Sequence, residues 1–360
     1  MKTADSCRLL VYAQDIGGAN FILPVLQEIL AKHDSPGSAP VDLLIHPHAE
    51  RFFAVHGLGS RKQEAMFKTL PVSVGCWRDY LAGKGIDRIF CTTSSPYRDL
   101  SNCNLIIAAR RMGIPVLGVM DHWKGFERFF VNEEPRYLPD QICCIDDTCR
   151  EILADMGLSP RAVHVVGHPG LERVSREAVD KKENACARRI LLVSQPVVRD
   201  MSFEGFFFQR VGECRLIDRL AEICNHLALD GRPEVHIRPH PKELSGEALP
   251  AGIRLDPYED WEVSRKNAQV FIGRDSMALV EASLSGGYCI SLALPEIPGA
   301  TEQLFPAGYT CRIGDLADLT GALVSAFQDE NGTGAGEMRP FYKGSVARTL
   351  RVLALFRADS

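Results

Sequence analysis

Short apolar runs alternate with longer amphipathic stretches along the first half of the chain. The apolar runs are continuous rather than alternating, which is typical of parallel strands that are covered on both faces. Helical periodicity lies between them, for example over Asn20–Lys32 and Cys103–Met112. The pattern predicts a doubly wound α/β half. Its predicted strands are Leu9–Ala13, Val41–Ile45, Arg88–Thr92, Val116–Val119, Gln141–Ile145 and Val163–Val166.

The same pattern begins again after the polar segment Asp180–Asn184, which we interpret as a linker. The strands predicted for this second half are Arg189–Ser194, Glu234–Arg238, Val270–Ile272 and Tyr288–Leu292. The predicted helices are Gly212–Leu229, Ser276–Ser285, Asp315–Gln328 and, after the glycine-rich segment Asn331–Gly336, Gly344–Phe356. We therefore expect Rossmann-like domains over residues 1–180 and 186–340, with a last helix in 341–360 that crosses back onto the first domain.

Polar residues cluster directly after several of these strands. Ligands bind at the carboxyl ends of the strands in open parallel sheets, so we expect the two domains to face each other across one ligand cleft. The candidate residues of this cleft are Asp15, Gly17, Gly18, Asp121, His122, Ser194, Gln195, Arg238, His240, Lys242, Gly273, Arg274, Ser276 and Glu281.

The turn after the first strand carries a carboxylate and two glycines. Asp15 would project into the cleft as a general base, while Gly17 and Gly18 allow a close approach of the backbone. The alternative is that the glycines only form the turn and that Asp15 caps the helix. Asp121 and His122 follow another strand, where they either line an acceptor pocket or supply the base instead.

The second half supplies groups that suit an anionic ligand. Arg238, His240 and Lys242 stand in a turn braced by prolines, where their side chains would donate to phosphate oxygens. A glycine turn later leads into a helix at Ser276, and the free N–H groups of a helix start attract phosphate. Glu281 would accept from ribose hydroxyls, unless this segment is an ordinary helix cap with a solvent-facing glutamate. We therefore expect a nucleotide-activated donor.

Three further segments each permit two interpretations. His46-Pro47-His48 either contacts the acceptor or forms an exposed loop. His168-Pro169 is interpreted as an elbow between the domains, with a functional role as the alternative. Phe206–Phe208 is expected in the core rather than on the surface as a contact for a lipid-linked acceptor.

The composition narrows the class of protein. The 360 residues are 46% hydrophobic and 24% charged, which is ordinary for a globular protein with two cores. A net charge of −5 without a long basic block argues against nucleic-acid binding. The twelve cysteines show no zinc-ligand spacing, which predicts reduced and mostly buried thiols. No apolar run reaches the ~20 residues of a membrane span, and no signal peptide precedes the first strand, so we expect a cytoplasmic protein.

The Arg238-Pro239-His240-Pro241 turn, followed by the Gly273–Glu281 segment, resembles the donor half of GT-B type nucleotide-sugar glycosyltransferases. The resemblance is to bacterial capsule and teichoic-acid enzymes, such as CDP-glycerol glycerophosphotransferases, and to transferases that use CMP-sugars. It implies a GT-B fold in which His240 and Ser276 hold the donor phosphate. It also implies that the Asp15 loop carries the catalytic base or the acceptor site.

The function that follows is metal-independent, inverting glycosyl transfer without a further cofactor. A sugar or polyol phosphate would move from a CMP-, CDP- or UDP-linked donor to a hydroxyl of a glycan or glycolipid. Such a reaction belongs to bacterial surface polysaccharide or glycoconjugate synthesis, and peripheral membrane association would bring the enzyme to a lipid-linked acceptor. Two alternatives stay open: a nucleotide-sugar 2-epimerase or hydrolase on the same fold, and a non-catalytic nucleotide- or glycan-binding protein.

Overall fold

The structure is a computed structural model that describes residues 7–33, 40–58, 65–96, 99–131, 136–179, 188–199, 202–227, 231–240, 243, 247–297, 309–328 and 342–356. Its internal contacts divide the chain into two units, Met1–Arg173 with Pro340–Ser360, and Val174–Arg339. The division falls inside a helix rather than in the expected linker. The predicted linker and the glycine-rich segment 331–336 lie outside the described residues.

The first unit is built on a six-stranded parallel sheet in the order β2-β1-β3-β4-β5-β6. Its strands are β1 (Leu9–Ala13), β2 (Val41–Ile45), β3 (Arg88–Thr92), β4 (Val116–Val119), β5 (Gln141–Cys144) and β6 (Val163–Val165). Its helices before the chain leaves the unit are α1 (Ile16–His33), α2 (Pro47–Val55), α3 (Val74–Lys84), α4 (Ser101–Met112), α5 (Asp147–Asp155) and the start of α6 (Pro169–Val179).

The second unit contains another six-stranded parallel sheet, in the order β13-β12-β7-β14-β15-β16. Its elements begin with β7 (Arg189–Val193), the hairpin of β8 (Pro196–Arg199) and β9 (Ser202–Gly205), the hairpin of β10 (Arg210–Val211) and β11 (Cys214–Arg215), and α7 (Leu216–Asn225). They continue with β12 (Glu234–Arg238), β13 (Ile253–Leu255), α8 (Trp261–Lys266), β14 (Val270–Gly273), α9 (Met277–Leu284), β15 (Tyr288–Leu292), β16 (Cys311–Ile313) and α10 (Leu319–Gln328).

Each sheet is buried on both faces, which explains the continuous apolar runs. In β1, Leu9 and Val11 pack into one cluster and Leu10 and Tyr12 into another. In β7, Ile190 and Leu192 likewise pack into one cluster, and Leu191 and Val193 pack into another. Successive side chains of a strand point to opposite faces of the sheet. When both faces are buried, the strand therefore has no polar side. The prediction of two doubly wound α/β halves is confirmed.

Some predicted boundaries were wrong, and the backbone gives the reason. The helix expected from Gly212 begins at Leu216, because Gly212 has a φ of 64° and turns the chain between β10 and β11. The helix expected from Asp315 begins as a 3₁₀ turn over Leu316–Asp318 before α10. The 3₁₀ turn Phe206–Phe208 buries its first two rings completely, which confirms the core interpretation.

The last helix, α11 (Ser345–Leu355), belongs to the first unit, where it packs on α1. The Glu172 carboxylate accepts from the backbone N–H groups of Gly344 and Val346 and from the Ser345 hydroxyl, each at 3.0 Å. The Arg88 guanidinium donates to the carbonyl of Leu353 at 3.0 Å. Both ends of α11 are therefore fixed by charges that also complement the helix dipole.

The cysteines in the described ranges are all free thiols, and most of them are buried. Burial raises the pKa of Cys91 to about 12, so this thiol stays protonated at neutral pH. Within the described ranges, no helix is both long and apolar enough to cross a bilayer.

Candidate functional site

Each sheet has one point where its strand order reverses direction, and ligands bind at such points in open α/β sheets. In the first unit, β2 lies on one side of β1 and β3 lies on the other. In the second unit, β12 lies on one side of β7 and β14 lies on the other. The carboxyl ends of β1 and β3, and of β7 and β14, are therefore the two places where the fold itself favours a ligand.

The Asp15 turn begins α1 and comes close to the end of β4. Asp15 Oδ1 accepts from the Gly18 N–H at 3.2 Å, so one carboxylate oxygen caps the helix, as the alternative interpretation of this turn expected. A Cβ on Gly17 would lie 2.3 Å from Asp121 Oδ2, and a Cβ on Gly18 would lie 2.5 Å from Thr92 Cγ2. The two glycines therefore allow the approach that brings the turn of Asp15 against the Asp121 carboxylate.

Asp121 has a cationic neighbour that the sequence did not reveal. Arg128 Nη1 lies 3.7 Å from Asp121 Oδ1, and both side chains are mostly buried. Arg128 Nε donates to the carbonyl of Gly125 at 2.7 Å, which fixes the guanidinium in place. Gly125 has a φ of 78°, a left-handed conformation that glycine adopts easily, and its carbonyl is thereby directed at Arg128. Asp121 and Arg128 thus form a pair that Gly17, in the turn after Asp15, approaches closely.

The turn that follows Asp121 is held by its neighbours. The Trp123 indole N–H donates to Asp146 Oδ2 at 2.7 Å, while Asp146 Oδ1 caps α5 through the N–H of Cys149 at 3.0 Å. The carbonyl of His122 faces Cys149 Sγ at 4.0 Å. These contacts of Trp123 and of the His122 carbonyl fix the backbone at His122. The role of His122 as an acceptor contact or as the base stays a prediction.

A buried polar network lies under the ends of β1, β2 and β3. The Gln14 amide oxygen accepts from the N–H of Asn102 at 2.7 Å, and its amide nitrogen donates to the carbonyl of Asp99 at 3.0 Å. Burial alone would raise the pKa of Asp99, but hydrogen bonds from His46 and Ser101 outweigh it and lower that pKa to about 2. His46 is completely buried, so the exposed-loop interpretation of this residue was wrong.

Among the described residues, His46, His48 and Asp99 place three ligand atoms within 4.8 Å of one another, as a metal site would require. His46 Nδ1 accepts from the backbone N–H of His48 at 3.2 Å, so the ring proton of neutral His46 sits on Nε2. That nitrogen lies 3.0 Å from Asp99 Oδ2. A metal on Nε2 would require an imidazole without any proton. We therefore interpret the group as a helix cap joined to a carboxylate.

In the second unit, the ends of β7 and β14 are joined by one side chain. Gln195 Oε1 accepts from the N–H of Asp275 at 2.9 Å. A Cβ on Gly273 would lie 2.9 Å from the carbonyl of Val193, so only glycine permits this spacing. Ser276 Oγ accepts from the N–H of Ala278 at 3.2 Å and caps α9. Arg274 lies beside Asp275, with its Nε 3.4 Å from Oδ1. The predicted residues at this edge are therefore neighbours.

Two residues expected to touch the ligand are engaged within the protein. Arg238 Nη1 donates to Asp256 at 2.7 Å and to the Ser264 hydroxyl at 2.9 Å, and Nη2 donates to the carbonyl of Glu259 at 2.8 Å. Glu281 is buried rather than solvent-facing, and its Oε2 accepts from the Trp261 indole at 2.6 Å. Arg238 thus ties α8 to the end of β12, and Glu281 ties α8 to α9.

The turn after β12 contains a carboxyl group that the sequence did not single out. His240 is half-buried, and its carbonyl accepts from the N–H of Glu243 at 2.9 Å. A Cβ on Gly205 would lie 2.7 Å from Glu243 Oε2. Burial raises the pKa of Glu243 to about 7, although the Ser194 hydroxyl and the His240 backbone lower it in part. Lys242 lies outside the described residues.

Comparisons with known proteins show which solved structures share this fold. No protein-family model matches the chain, and no curated protein matches it. The chain is similar to the UDP-GlcNAc 2-epimerase from Methanocaldococcus jannaschii, with a TM-score of 0.63, 14% identity, and coverage of 97% of this chain and 100% of that chain. The chain is also similar to the UDP-GlcNAc 2-epimerase from Neisseria meningitidis bound to UDP-GlcNAc, with a TM-score of 0.65 and 13% identity over 97% of this chain and 99% of that chain.

A transferase is among the similar structures too. The glycotransferase of kitacinnamycin matches with a TM-score of 0.57 and 14% identity, over 97% of this chain and 98% of that chain. At identities this low, the structural similarity establishes the shared fold alone, and it confirms the GT-B-like architecture of two Rossmann-like halves.

Proposed function

We propose that this protein is an enzyme that acts on a nucleotide-activated sugar, and that its reaction is transfer of the sugar to a hydroxyl acceptor. The observation that carries the proposal is the junction of β7 and β14, where Gln195 binds the N–H of Asp275 directly before the start of α9. This is the reversal point of a doubly wound sheet beside a helix N-terminus. Proteins with the same fold bind UDP-GlcNAc.

We assign the donor phosphate to the second unit. The N-terminus of α9 at Ser276 carries the positive end of a helix dipole, and His240 is the imidazole donor on the other side of β7. We give Arg238 a positioning role instead of a phosphate contact, because its terminal nitrogens donate to α8 and to the preceding loop. Charge that develops on the departing phosphate would be met by protein groups in this scheme, without a metal.

We assign the acid–base chemistry to the first unit. A carboxylate would take the proton from the acceptor hydroxyl, and the resulting oxygen would attack the anomeric carbon as the bond to the nucleotide phosphate breaks. Asp15 is our first choice for this base, because Asp121 already has Arg128 as a counter-charge. The acceptor in this proposal is a glycan or glycolipid, as in surface polysaccharide or glycoconjugate synthesis.

The approach of the Asp15 turn to Asp121 also favours a second reaction. Two carboxyl groups at one sheet edge suit removal of a proton from a sugar carbon and its return on the other face, which is epimerisation, or activation of water for hydrolysis. Neither reaction needs a hydroxyl acceptor. Sugar-nucleotide turnover in the absence of any acceptor would therefore identify this alternative.

The first experiment is calorimetric titration of the protein with CMP, CDP, UDP, GDP and dTDP. His240→Ala should weaken binding of the preferred nucleotide roughly 10-fold or more, because a hydrogen bond to a charged group contributes about 1.5–3 kcal/mol. His226→Ala is the matched control, since His226 is exposed at the carboxyl end of α7. The donor assignment is wrong if no nucleotide binds, or if both variants bind equally.

The second experiment follows turnover of the matching nucleotide-sugars with and without hydroxyl acceptors. Asp15→Asn should lower turnover roughly 100-fold or more while nucleotide affinity stays unchanged. Asp121→Asn tests the other carboxylate in the same assay. If both variants retain full turnover, neither carboxylate is the base. If the native protein binds nucleotide and converts none of its sugars, the non-catalytic alternative takes the place of the enzyme.

A further inference from the structure

We propose that Gln14 is a positioning residue that holds the turn of Asp15 in place at the end of β1. The inference rests on the proposed function only in calling Asp15 the base. Gln14 lies between β1 and Asp15, and 3% of its surface is exposed. A buried amide needs partners for both its oxygen and its nitrogen, because a buried polar group without a hydrogen bond is costly. The partners of Gln14 therefore identify the segments that this residue connects.

Three hydrogen bonds join Gln14, Thr92 and Asn102 in a closed ring. The backbone N–H of Gln14 donates to Thr92 Oγ1 at 3.1 Å. The side-chain amide of Asn102 donates to the carbonyl of Thr92 at 2.7 Å, and the backbone N–H of Asn102 donates to Gln14 Oε1 at 2.7 Å. Thr92 ends β3 and Asn102 lies in the first turn of α4, so the ring ties the residue before Asp15 to two other elements.

The Gln14 amide has two further partners outside this ring. Its Oε1 also accepts from the Tyr12 hydroxyl at 3.1 Å, and its Nε2 donates to the carbonyl of Asp99 at 3.0 Å. Asp99 is itself held, because its Oδ1 accepts from the Ser101 N–H at 2.8 Å and its Oδ2 lies 3.0 Å from His46 Nε2. The Gln14 side chain is therefore fixed at its oxygen and at its nitrogen.

Thr92 also contacts the turn on the other side of Asp15. A Cβ on Gly18 would lie 2.5 Å from Thr92 Cγ2, and the Gly18 N–H donates to Asp15 Oδ1 at 3.2 Å. The Asp15 carboxylate is thus bonded to a residue that packs on Thr92, and the Asp15 backbone follows a residue that is bonded to Thr92. Loss of the Gln14 contacts would let this backbone shift, and displacements of ~1 Å can cost ~100-fold in rate.

Gln14→Met tests the hydrogen bonds of Gln14, because it keeps the length of the side chain and removes its polar atoms. We expect this variant to lower kcat about 10- to 100-fold, with KM and nucleotide affinity unchanged. Gln141→Met is the matched control in the same unit. Gln141 begins β5, and its Oε1 lies 2.8 Å from His164 Nε2, so this variant loses a hydrogen bond at the amino end of the sheet and should keep the native kcat.

Gln14→Glu gives a readout that a loss of stability alone would not produce. The introduced carboxyl can donate to the Asp99 carbonyl, as the native amide does, only when it is protonated. Burial should raise the pKa of this carboxyl above its ordinary value. We therefore expect kcat relative to the native protein to be low at high pH and to rise as the pH falls. This ratio removes the titration that both proteins share, which is that of Tyr12, Asp15, His46 and Asp99.

Hydrogen exchange measures the Asp15 turn directly. The Gly18 and Ala19 amides are bonded to Asp15, and they should exchange faster in Gln14→Met than in the native protein. This measurement tests the role of Gln14 even if the native protein has no turnover, which would overturn the proposed function alone. The positioning role is overturned if these amides exchange as slowly in Gln14→Met as in the native protein. It is also overturned if kcat of Gln14→Glu stays as low as that of Gln14→Met at every pH.

Discussion

Replacing Glu243 with glutamine should change how the stability of the second unit depends on pH. Burial against Gly205 raises the pKa of this carboxyl from its ordinary value of 4.5 to about 7. In the unfolded chain the carboxyl ionises near its ordinary value. Between these two pKa values the folded state therefore keeps a proton that the unfolded state has released, and the free energy of unfolding falls as the pH rises. Above the folded pKa the loss is complete.

The magnitude follows from the difference between the two pKa values. A rise from 4.5 to about 7 corresponds to roughly 3 kcal/mol if it is fully expressed, since one pKa unit equals about 1.4 kcal/mol. Glu243 is only half-buried, so solvent screening reduces the expected effect to about 1–2 kcal/mol. Glutamine has a similar shape and does not ionise. Glu243→Gln should match the native protein near pH 4, below the ordinary pKa of 4.5, and exceed its stability by about 1–2 kcal/mol near pH 8.

Urea unfolding at several pH values between these limits measures the effect. Hydrogen exchange of the β7 and β12 amides reports on the second unit separately, because local stabilities differ across a structure. Glu213→Gln is the matched control, since Glu213 is exposed between β10 and β11. If the native and Glu243→Gln profiles run parallel across this pH range, burial does not raise the pKa of Glu243 and the reasoning is refuted.

Three further predictions concern the first unit. Gly17→Ala should reduce turnover more than stability, because its Cβ would displace only the end of the Asp121 side chain. Gly83→Ala is the control, because a Cβ on Gly83 would meet no atom within 4 Å. Equal turnover of the two variants would contradict the close approach of Gly17 to Asp121. Glu172→Ala should lower the free energy of unfolding by about 1–2 kcal/mol, measured in urea, through loss of the α11 cap; an unchanged midpoint would contradict it. Asp99→Asn should remove the loss of stability that the native protein shows as the pH falls from 3.8 to about 2, because the pKa of Asp99 is lowered to about 2 in the folded state. Profiles that coincide with the native one would contradict this.

The strands were the most predictable part of the fold. β1, β2, β3 and β4 lie where the apolar runs placed them, because burial on both faces leaves a continuous signal in the sequence. The short hairpins β8–β9 and β10–β11 were missed. A strand of two to four residues has too few positions to show a period, and the pairing of β10 with β11 depends on the turn at Gly212.

The positions of the candidate residues in the fold were more predictable than their contacts. The polar residues after β1 and β7 lie at the points where the strand order reverses, because continuous apolar runs located the strands that precede them. The partners of Arg238 lie 18 to 26 positions away in the sequence, so nothing near the motif revealed that its guanidinium was already bound. Arg128 and Glu243 were missed for the same reason, since burial of a single charged residue depends on distant segments.

The docking of α11 also bears on the order in which the chain can fold during synthesis. The first unit is interrupted after Arg173 and is completed only by residues from Pro340 onward. A growing chain therefore has to make the whole second unit before Glu172 can meet the start of α11. N-terminal domains commonly fold first on the ribosome. Here the first unit would stay incomplete until α11 is made, and the side of α1 that packs on α11 would be exposed until then. The second unit is contiguous in sequence and would therefore complete its fold first. Aggregation would be most probable in the period before α11 covers α1.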